Sequence, residues 1–200
     1  MFKKNIVLYL VLVFAVLFFA YLFSPGQSTL NKKNLTPEEA KLQQQFSAAV
    51  ASFNAGDIQS AKEGFSNFLR ITGYQEGAYF WLSTIYVTEK NFDQAFDYAR
   101  PLLENSTNPG LLTDLGSIFA QAGYNKMGYA CYAKALKEDQ NFVPAYTELG
   151  KLYGNEDKFI QAIGVWQDGL RRDPKNRELQ QLIQQAHDLW SQSKEESNSN

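Results

Sequence analysis

Side chains that could perform catalysis are scarce in this sequence. Its 200 residues contain a single cysteine, Cys131, and a single histidine, His187. A metal site or a nucleophile–base pair needs several such groups at a spacing that brings them together, and the sequence offers none. No nucleophile-elbow motif accompanies His187, and Cys131 falls inside a predicted helix, where a small packed side chain is the simpler interpretation. The sequence therefore predicts no enzyme activity, no metal and no cofactor.

The charge distribution limits the class of partner. The formal net charge is -2, and removing Lys3 and Lys4 from the 19 basic residues leaves 17 basic against 21 acidic side chains in residues 24–200. A nucleic-acid-binding protein usually has a basic face, so we do not expect this function. A glycine-rich phosphate loop is also missing, and we expect no small-molecule substrate. The one basic cluster falls at and just after a predicted helix end, where cations stabilise the helix dipole; it consists of Arg171, Arg172, Lys175 and Arg177.

An apolar stretch near the amino terminus has the length of a membrane span. Residues 5–23, NIVLYLVLVFAVLFFAYLF, contain no charge and no helix breaker. As a helix they would rise about 28 Å, close to the thickness of a bilayer's hydrocarbon core. A cleaved signal peptide is the alternative, but its apolar region usually has about 7–15 residues and is followed by an A-x-A-like site, which is missing here. We predict an uncleaved single-pass anchor.

The flanking charges predict the orientation of this anchor. Lys3 and Lys4 lie immediately before the apolar stretch, whereas Lys32 and Lys33 lie further from it. Basic residues close to a span tend to remain in the cytoplasm. We therefore predict a cytoplasmic amino terminus and a body on the outer side of the membrane, periplasmic or otherwise extracytoplasmic.

The body begins after a short linker. Residues 24–36 are polar and contain Pro and Gly, which is typical of a flexible spacer. Thr36, Pro37 and Glu39 then match a capping box, with Thr as N-cap, Pro in the first helical position and Glu three residues after the cap. A helix is therefore predicted to start at Pro37.

The segment from Val143 to Asn176 carries a repeat motif. Its first helical pattern has Tyr146 and Gly150, its second has Trp166, and Pro174 closes the unit. This spacing resembles the tetratricopeptide repeat (TPR), whose pattern is W-x2-L-G-x2-Y, then A-x3-F, then P. A period close to thirty-four residues indicates earlier units at 42–75, 76–108 and 109–142.

The resemblance implies the architecture of the body. We expect an all-α fold, a right-handed α-solenoid of about four helix-turn-helix repeats preceded by one transmembrane helix. An amphipathic helix at 177–190 is expected to cap the last repeat, and the polar tail 191–200 is expected to be disordered. Pro101 falls inside a predicted helix, which it should kink or shorten.

In the TPR family, positions 2, 5, 9, 12 and 13 of each repeat line an inner groove. The resemblance therefore implies a groove that binds a protein or peptide partner. Its lining changes from apolar and aromatic in the first two repeats to small and polar in the last two, although the aromatic side chains could instead pack against neighbouring helices. The groove residues are Gln43, Phe46, Val50, Phe53, Asn54, Phe80, Thr84, Val87, Thr88, Thr113, Ser117, Gln121, Thr147, Lys151 and Asn155.

Three functions fit these features. One is a membrane-anchored scaffold that binds a partner in the groove and helps to assemble an envelope or membrane complex. Another is an accessory subunit that presents substrate polypeptides to an assembly enzyme, such as the haem-attachment machinery of cytochrome c. A third is an import-receptor-like protein on an organelle surface. Binding of chaperone tails is disfavoured, because that mode needs Lys and Asn where this sequence has Phe46 and Val50.

Overall fold

The computed structural model describes residues 36–198, and this part of the chain is helical with no strand. It contains nine α-helices, which form four helix pairs and a final helix. We call the first member of each pair an A helix and the second a B helix. In chain order they are α1 (Pro37–Asn54), α2 (Ile58–Thr72), α3 (Glu76–Thr88), α4 (Phe92–Asn105), α5 (Pro109–Gln121), α6 (Asn125–Glu138), α7 (Val143–Gly154), α8 (Phe159–Arg172) and α9 (Arg177–Asn198).

The helices belong to two compact units, α1 and α2 in the first and α3 to α9 in the second. In the first unit, α1 packs against α2. In the second, each A helix packs against the B helix that follows it, and the A helices of consecutive repeats are neighbours, α3 beside α5 and α5 beside α7. Helix α9 packs against α8. The predicted all-helical body of paired helices is confirmed.

The first helix starts where the capping box predicts. Glu39 donates its backbone N–H to the Thr36 hydroxyl oxygen at 3.2 Å, and Thr36 donates its own N–H to the Glu39 carboxylate at 2.9 Å. Two backbone donors that the helix leaves without partners are satisfied in this way. Asp57 and Asn108 cap α2 and α5 through similar side-chain bonds.

Each A helix is followed by one residue in the left-handed backbone region. These residues are Gly56, Lys90, Gly123 and Asp157, with φ of 81°, 60°, 87° and 58°. They recur once in every repeat, which gives the repeat period independently of any sequence motif. Glycine occupies the left-handed region at little cost, whereas Lys90 and Asp157 adopt it against their steric preference.

Small residues lie where the two helices of a repeat approach closely. A Cβ added at Gly116 would lie 2.8 Å from the Tyr132 ring, and one added at Gly169 would lie 3.0 Å from the Tyr146 side chain. At Gly150 the indole of Trp166 occupies the same space. The motif residues of the repeats therefore interdigitate as close packing requires.

The structure corrects one part of the expectation for Pro101, that this residue shortens its helix. Helix α4 continues through this residue to Asn105 and has 14 residues, as do α6 and α8. Proline removes only one backbone donor, and the fully buried Ala99 and Leu102 hold the helix on its neighbours. Pro101 therefore does not shorten the helix.

The last helix is longer than predicted. It extends to Asn198, through most of the segment that was expected to be disordered. The Lys194 ammonium lies 4.3 Å from the centre of the Trp190 ring, and Gln, Lys and Glu favour helix in this region.

The predicted anchor at 5–23 and the linker before Thr36 lie outside the described residues. Within residues 36–198, none of the helices combines the length and the apolar character that crossing a bilayer would require.

Candidate functional site

All predicted groove residues lie on the A helices or, for Asn155, immediately after one. In the second compact unit, α3, α5 and α7 are consecutive neighbours, so their groove positions belong to one layer of helices. We call this layer the A face. Helix α1 lies in the first unit and is described by itself.

The apolar groove positions of α1 are used in packing. The Phe46 ring makes edge contacts with Phe65 and Phe68 of α2, at centroid distances of 5.4 and 5.2 Å. Val50 and Phe53 are only 3% and 6% exposed. The two polar positions, Gln43 and Asn54, are exposed.

Most of the groove positions of helix α3 are also buried. Phe80 and Val87 are 5% and 7% exposed, and Thr84 is buried with its hydroxyl donating to the Phe80 carbonyl oxygen at 2.8 Å. Thr88 is exposed, and its hydroxyl donates to a carbonyl oxygen of the same helix at 2.7 Å. A partner that used Phe80 as an apolar anchor would have to displace the packing that now covers it.

The small polar groove positions of α5 and α7 are also satisfied internally. Thr113, Ser117 and Thr147 each donate a hydroxyl hydrogen bond to the carbonyl oxygen four residues earlier, at 2.7, 3.1 and 3.3 Å. Ser117 additionally bonds the Tyr132 hydroxyl at 3.0 Å. Such back-bonding is common for Ser and Thr inside helices and leaves little capacity for a partner.

Two amide side chains on the A face are accessible. Gln121 at the end of α5 and Asn155 after α7 are both exposed, and they occupy equivalent positions in consecutive repeats. An amide side chain offers both a donor and an acceptor. These two residues are the predicted groove positions of the second unit that are most available to a partner.

Lys151 connects two helices of the second unit. Its ammonium donates to Glu148 of the same helix at 2.9 Å and to Glu178 of α9 at 3.0 Å. Burial opposes the charge on Lys151, but the hydrogen bonds to the two carboxylates outweigh it and raise the pKa of the ammonium. The cation is therefore already paired, which limits its use as a recognition group.

Two carboxylates on the A face were not predicted from the sequence. Asp114 of α5 and Glu148 of α7 occupy equivalent positions, and each directly follows a predicted groove threonine, Thr113 and Thr147. Burial and then the charge of Glu148 raise the pKa of Asp114 to about 7. The recurrence of an acidic residue after the groove threonine was the signal that could have identified them.

Cys131 and His187, the side chains with the greatest capacity for chemistry, lie on α6 and α9 and not on the A face. Burial raises the pKa of the Cys131 thiol to about 12, which keeps it protonated, and its side chain is fully buried. His187 is exposed on α9. Among residues 36–198, no three or more His, Cys, Asp and Glu side chains converge in a way that could hold a metal ion.

The arrangement of helices is shared with solved structures. No protein-family model and no curated protein sequence matches the chain. The structure is similar to that of pilF from Pseudomonas aeruginosa, with a TM-score of 0.58 and 18% identity over 78% of each chain. It is also similar to the MamA protein, with a TM-score of 0.57 and 16% identity over 74% of this chain and 81% of that one.

A further similarity is to YrrB, described as a TPR protein with an unusual peptide-binding site. Here the TM-score is 0.50 and the identity 18%, over 74% of this chain and 86% of that chain. TTC0263, a TPR protein of Thermus thermophilus, gives a TM-score of 0.52 at 15% identity, over 73% of this chain and 81% of that chain. Together with the helix pairs and their period of about thirty-four residues, these similarities show that the chain has the tetratricopeptide-repeat fold.

Proposed function

We propose that this protein is a membrane-anchored TPR scaffold that binds a protein or peptide partner on its A face and helps to assemble an envelope or membrane complex. The observation that carries the proposal is the equivalent, exposed placement of Gln121 and Asn155 on consecutive repeats. The fold supports it, because YrrB, which shares the fold, is described as having a peptide-binding site.

The spacing of the two amides suits an extended segment. Packed helices lie about 8–10 Å apart, which an extended peptide crosses in about three residues. Gln121 and Asn155 could then each bond one backbone N–H or carbonyl group of the same peptide. In recognition of this kind, hydrogen bonds to the partner's backbone supply affinity, and side-chain contacts on either side supply specificity.

The proposed anchor gives the scaffold its location. Residues 5–23 would hold the protein in the membrane, and the linker at 24–36 would connect this anchor to the repeats. Tethering of this kind raises the effective concentration of a membrane-bound partner to the order of millimolar. Reporter fusions at the carboxyl terminus test the orientation: activity of an extracytoplasmic reporter is expected, and activity of a cytoplasmic reporter alone would contradict it.

Co-purification after mild crosslinking tests partner binding on the A face. The double variant Gln121→Arg with Asn155→Arg places two bulky cations there. The matched control, Ala133→Arg with Gln167→Arg, changes exposed positions of the B helices α6 and α8, also in consecutive repeats. We expect the A-face variant to lose at least about 10-fold of the partner recovered with the unsubstituted chain, a cost of about 1.4 kcal/mol or more. Equal recovery with both variants would show that the partner does not use this face.

A further inference from the structure

Helix α9 begins where the first helix of a fifth repeat would begin. Its first residue, Arg177, follows Val143, the first residue of α7, by one repeat period of thirty-four residues. Every position of α9 up to the end of that period therefore has an equivalent one repeat earlier. The α9 residues that are equivalent to the three predicted groove residues of α7 are Gln181, Gln185 and Leu189.

Helix α9 also packs as an A helix does. A Cβ added at Gly169 of α8 would lie 2.8 Å from Leu179 of α9 and 3.0 Å from Tyr146 of α7, so these two side chains meet on the same residue. The Lys151 ammonium of α7 reaches across to the Glu178 carboxylate of α9 at 3.0 Å. Because Lys151 is itself a predicted groove residue, α9 continues the layer of A helices beside α7.

The three α9 residues lie on the side of the helix that meets Lys151. They follow Glu178 by three, seven and eleven residues, and these intervals bring helical side chains onto one face. All three side chains are exposed, and half of the Leu189 surface, 50%, is accessible. The layer of A helices therefore ends in an accessible edge on α9.

The amides of Gln181 and Gln185 differ from the small polar groove residues of α5 and α7. Those hydroxyls bond their own helix, whereas neither amide has a hydrogen-bond partner among the residues that the structure describes. Gln180 and Gln184 precede them by one residue, point about 100° away around the helix, and bond within the chain at 3.1 and 3.0 Å. Gln181 and Gln185 thus retain both a donor and an acceptor for a partner.

We propose that α9 is part of the surface that binds the peptide, and that Leu189 selects which peptides bind. The inference rests on the proposed function, because the peptide is the one that Gln121 and Asn155 hold. The amides of Gln181 and Gln185 bond backbone N–H or carbonyl groups of the same extended segment. Leu189 contacts an apolar side chain of that segment.

The chemistry of the bound segment follows from the row to which Leu189 belongs. Gln121, Asn155 and Leu189 hold the same repeat position on α5, α7 and α9. Since packed helices lie about 8–10 Å apart, the segment carries its apolar residue about three residues beyond the group that Asn155 bonds. The Lys151 ammonium is already bonded to Glu178, so it does not attract an acidic tail, and we expect an uncharged segment.

A phage-displayed library of random peptides supplies the probe, and the full chain in detergent micelles is the bait. We expect the enriched peptides to share an uncharged stretch with one apolar residue at a fixed place. The affinity of one enriched peptide, made synthetically, is then measured by fluorescence anisotropy for the unsubstituted chain and for its variants.

Two pairs of substitutions on α9 test the amides. Gln181→Arg with Gln185→Arg should weaken binding of this peptide at least about 10-fold. The matched control, Gln180→Arg with Gln184→Arg, changes the same residue type at the same spacing on the same helix, and should alter affinity less than about 2-fold. Equal weakening by the two pairs would overturn the inference.

A double-mutant cycle tests Leu189. Leu189→Ser, or alanine in place of the peptide's apolar residue, should each weaken binding about 5-fold, and the two changes together should cost little more than either alone. Losses that simply add would show that Leu189 does not contact this residue and would overturn its assignment.

The variant Gln121→Arg with Asn155→Arg separates this inference from the proposed function. If this variant loses the peptide while Gln181→Arg with Gln185→Arg retains it, α9 is not part of the binding surface and the inference is wrong, although the proposed function stands. If no peptide is enriched, or if the enriched peptide binds this variant as well as the unsubstituted chain, the proposed function and the inference are both contradicted.

Discussion

The indole Nε1 of Trp166 donates a hydrogen bond to the backbone carbonyl oxygen of Thr147 at 3.1 Å. This bond joins α8 to α7 within the fourth repeat. The same indole occupies the space that a Cβ would need at Gly150. Trp166 therefore fixes how closely the two helices approach and, through α7, the position of Lys151 and Asn155 on the A face.

Gly150→Ala should destabilise the protein, because the added methyl group overlaps a buried ring. Overpacking of this kind typically lowers the free energy of unfolding by about 1–3 kcal/mol. Urea denaturation measures the change. In a Trp166→Leu background the same substitution should cost less than about 1 kcal/mol, since the ring is gone. An equal cost in both backgrounds would show that Trp166 is not the cause.

Lys90→Gly should stabilise the protein, because Lys90 has a φ of 60°. Relieving a left-handed backbone at a non-glycine residue gains about 1–2 kcal/mol, from which the added entropy of unfolded glycine subtracts. We expect a net increase of about 0.5–1 kcal/mol in the free energy of unfolding. Lys90→Ala removes the same side chain without relieving the backbone and should give no increase. A gain from alanine as large as that from glycine would exclude backbone strain as the reason.

Glu156 joins the third and fourth repeats. Its carboxylate accepts hydrogen bonds from Lys158 at 2.6 Å, from the Asn125 amide at 2.5 Å and from the Tyr129 hydroxyl at 2.9 Å. These bonds, with Lys158 the largest contribution, lower the pKa of Glu156 to about 2. The ionised form is thus favoured by folding.

Glu156→Gln should destabilise the protein only where the carboxylate is ionised. The contribution of Glu156 is fully present above the ordinary pKa of 4.5 and is lost as the pH falls through about 2. The urea midpoint of the variant should therefore be lower than that of the unsubstituted chain at neutral pH, and the difference should shrink below pH 4.5. Glu104→Gln, an exposed change on α4, is the control. A difference in midpoint that does not vary with pH would contradict the ionic explanation.

Cys131 should be inert toward iodoacetamide in the folded protein. The side chain is fully buried, so the reagent cannot reach the sulfur. Its pKa is raised to about 12, so the thiol does not form the reactive thiolate at neutral pH. Because it is the single cysteine of the chain, mass spectrometry of the intact protein reports its alkylation directly. Alkylation should proceed in guanidinium and be slower by at least about 100-fold without it. Comparable rates in the two conditions would show that the third repeat opens readily.

The fold could be predicted because its determinants are local and repeated. The small residue Gly150 and the large residue Trp166 sit at the spacing that paired helices require, and the capping box at Thr36 marks the first helix correctly. The length of α9 and the continuity of α4 through Pro101 could not be obtained in this way. The end of α9 has the Lys194 ammonium over the Trp190 ring, and α4 is held on its neighbours by the buried Ala99 and Leu102. Neither contact belongs to the repeat motif.

The candidate site was less accessible to sequence reasoning. Position within the repeat identifies a groove residue but not whether its side chain is already satisfied. Thr113 and Thr147 bond their own helix, whereas Gln121 and Asn155 are exposed. Asp114 on α5 was not predicted, because the charge of Glu148 acts on it only once α5 packs against α7.

Site-specific photo-crosslinking in cells tests the central claim most directly, which is that a partner binds the A face. A photoreactive amino acid is placed at Gln121 or Asn155, and in control chains at Ala133 or Gln167 of the B helices. We predict that both A-face positions form the same crosslinked species, identified by mass spectrometry, and that the control positions do not. Crosslinks from the B-helix positions alone, or equally from all four, would contradict the account.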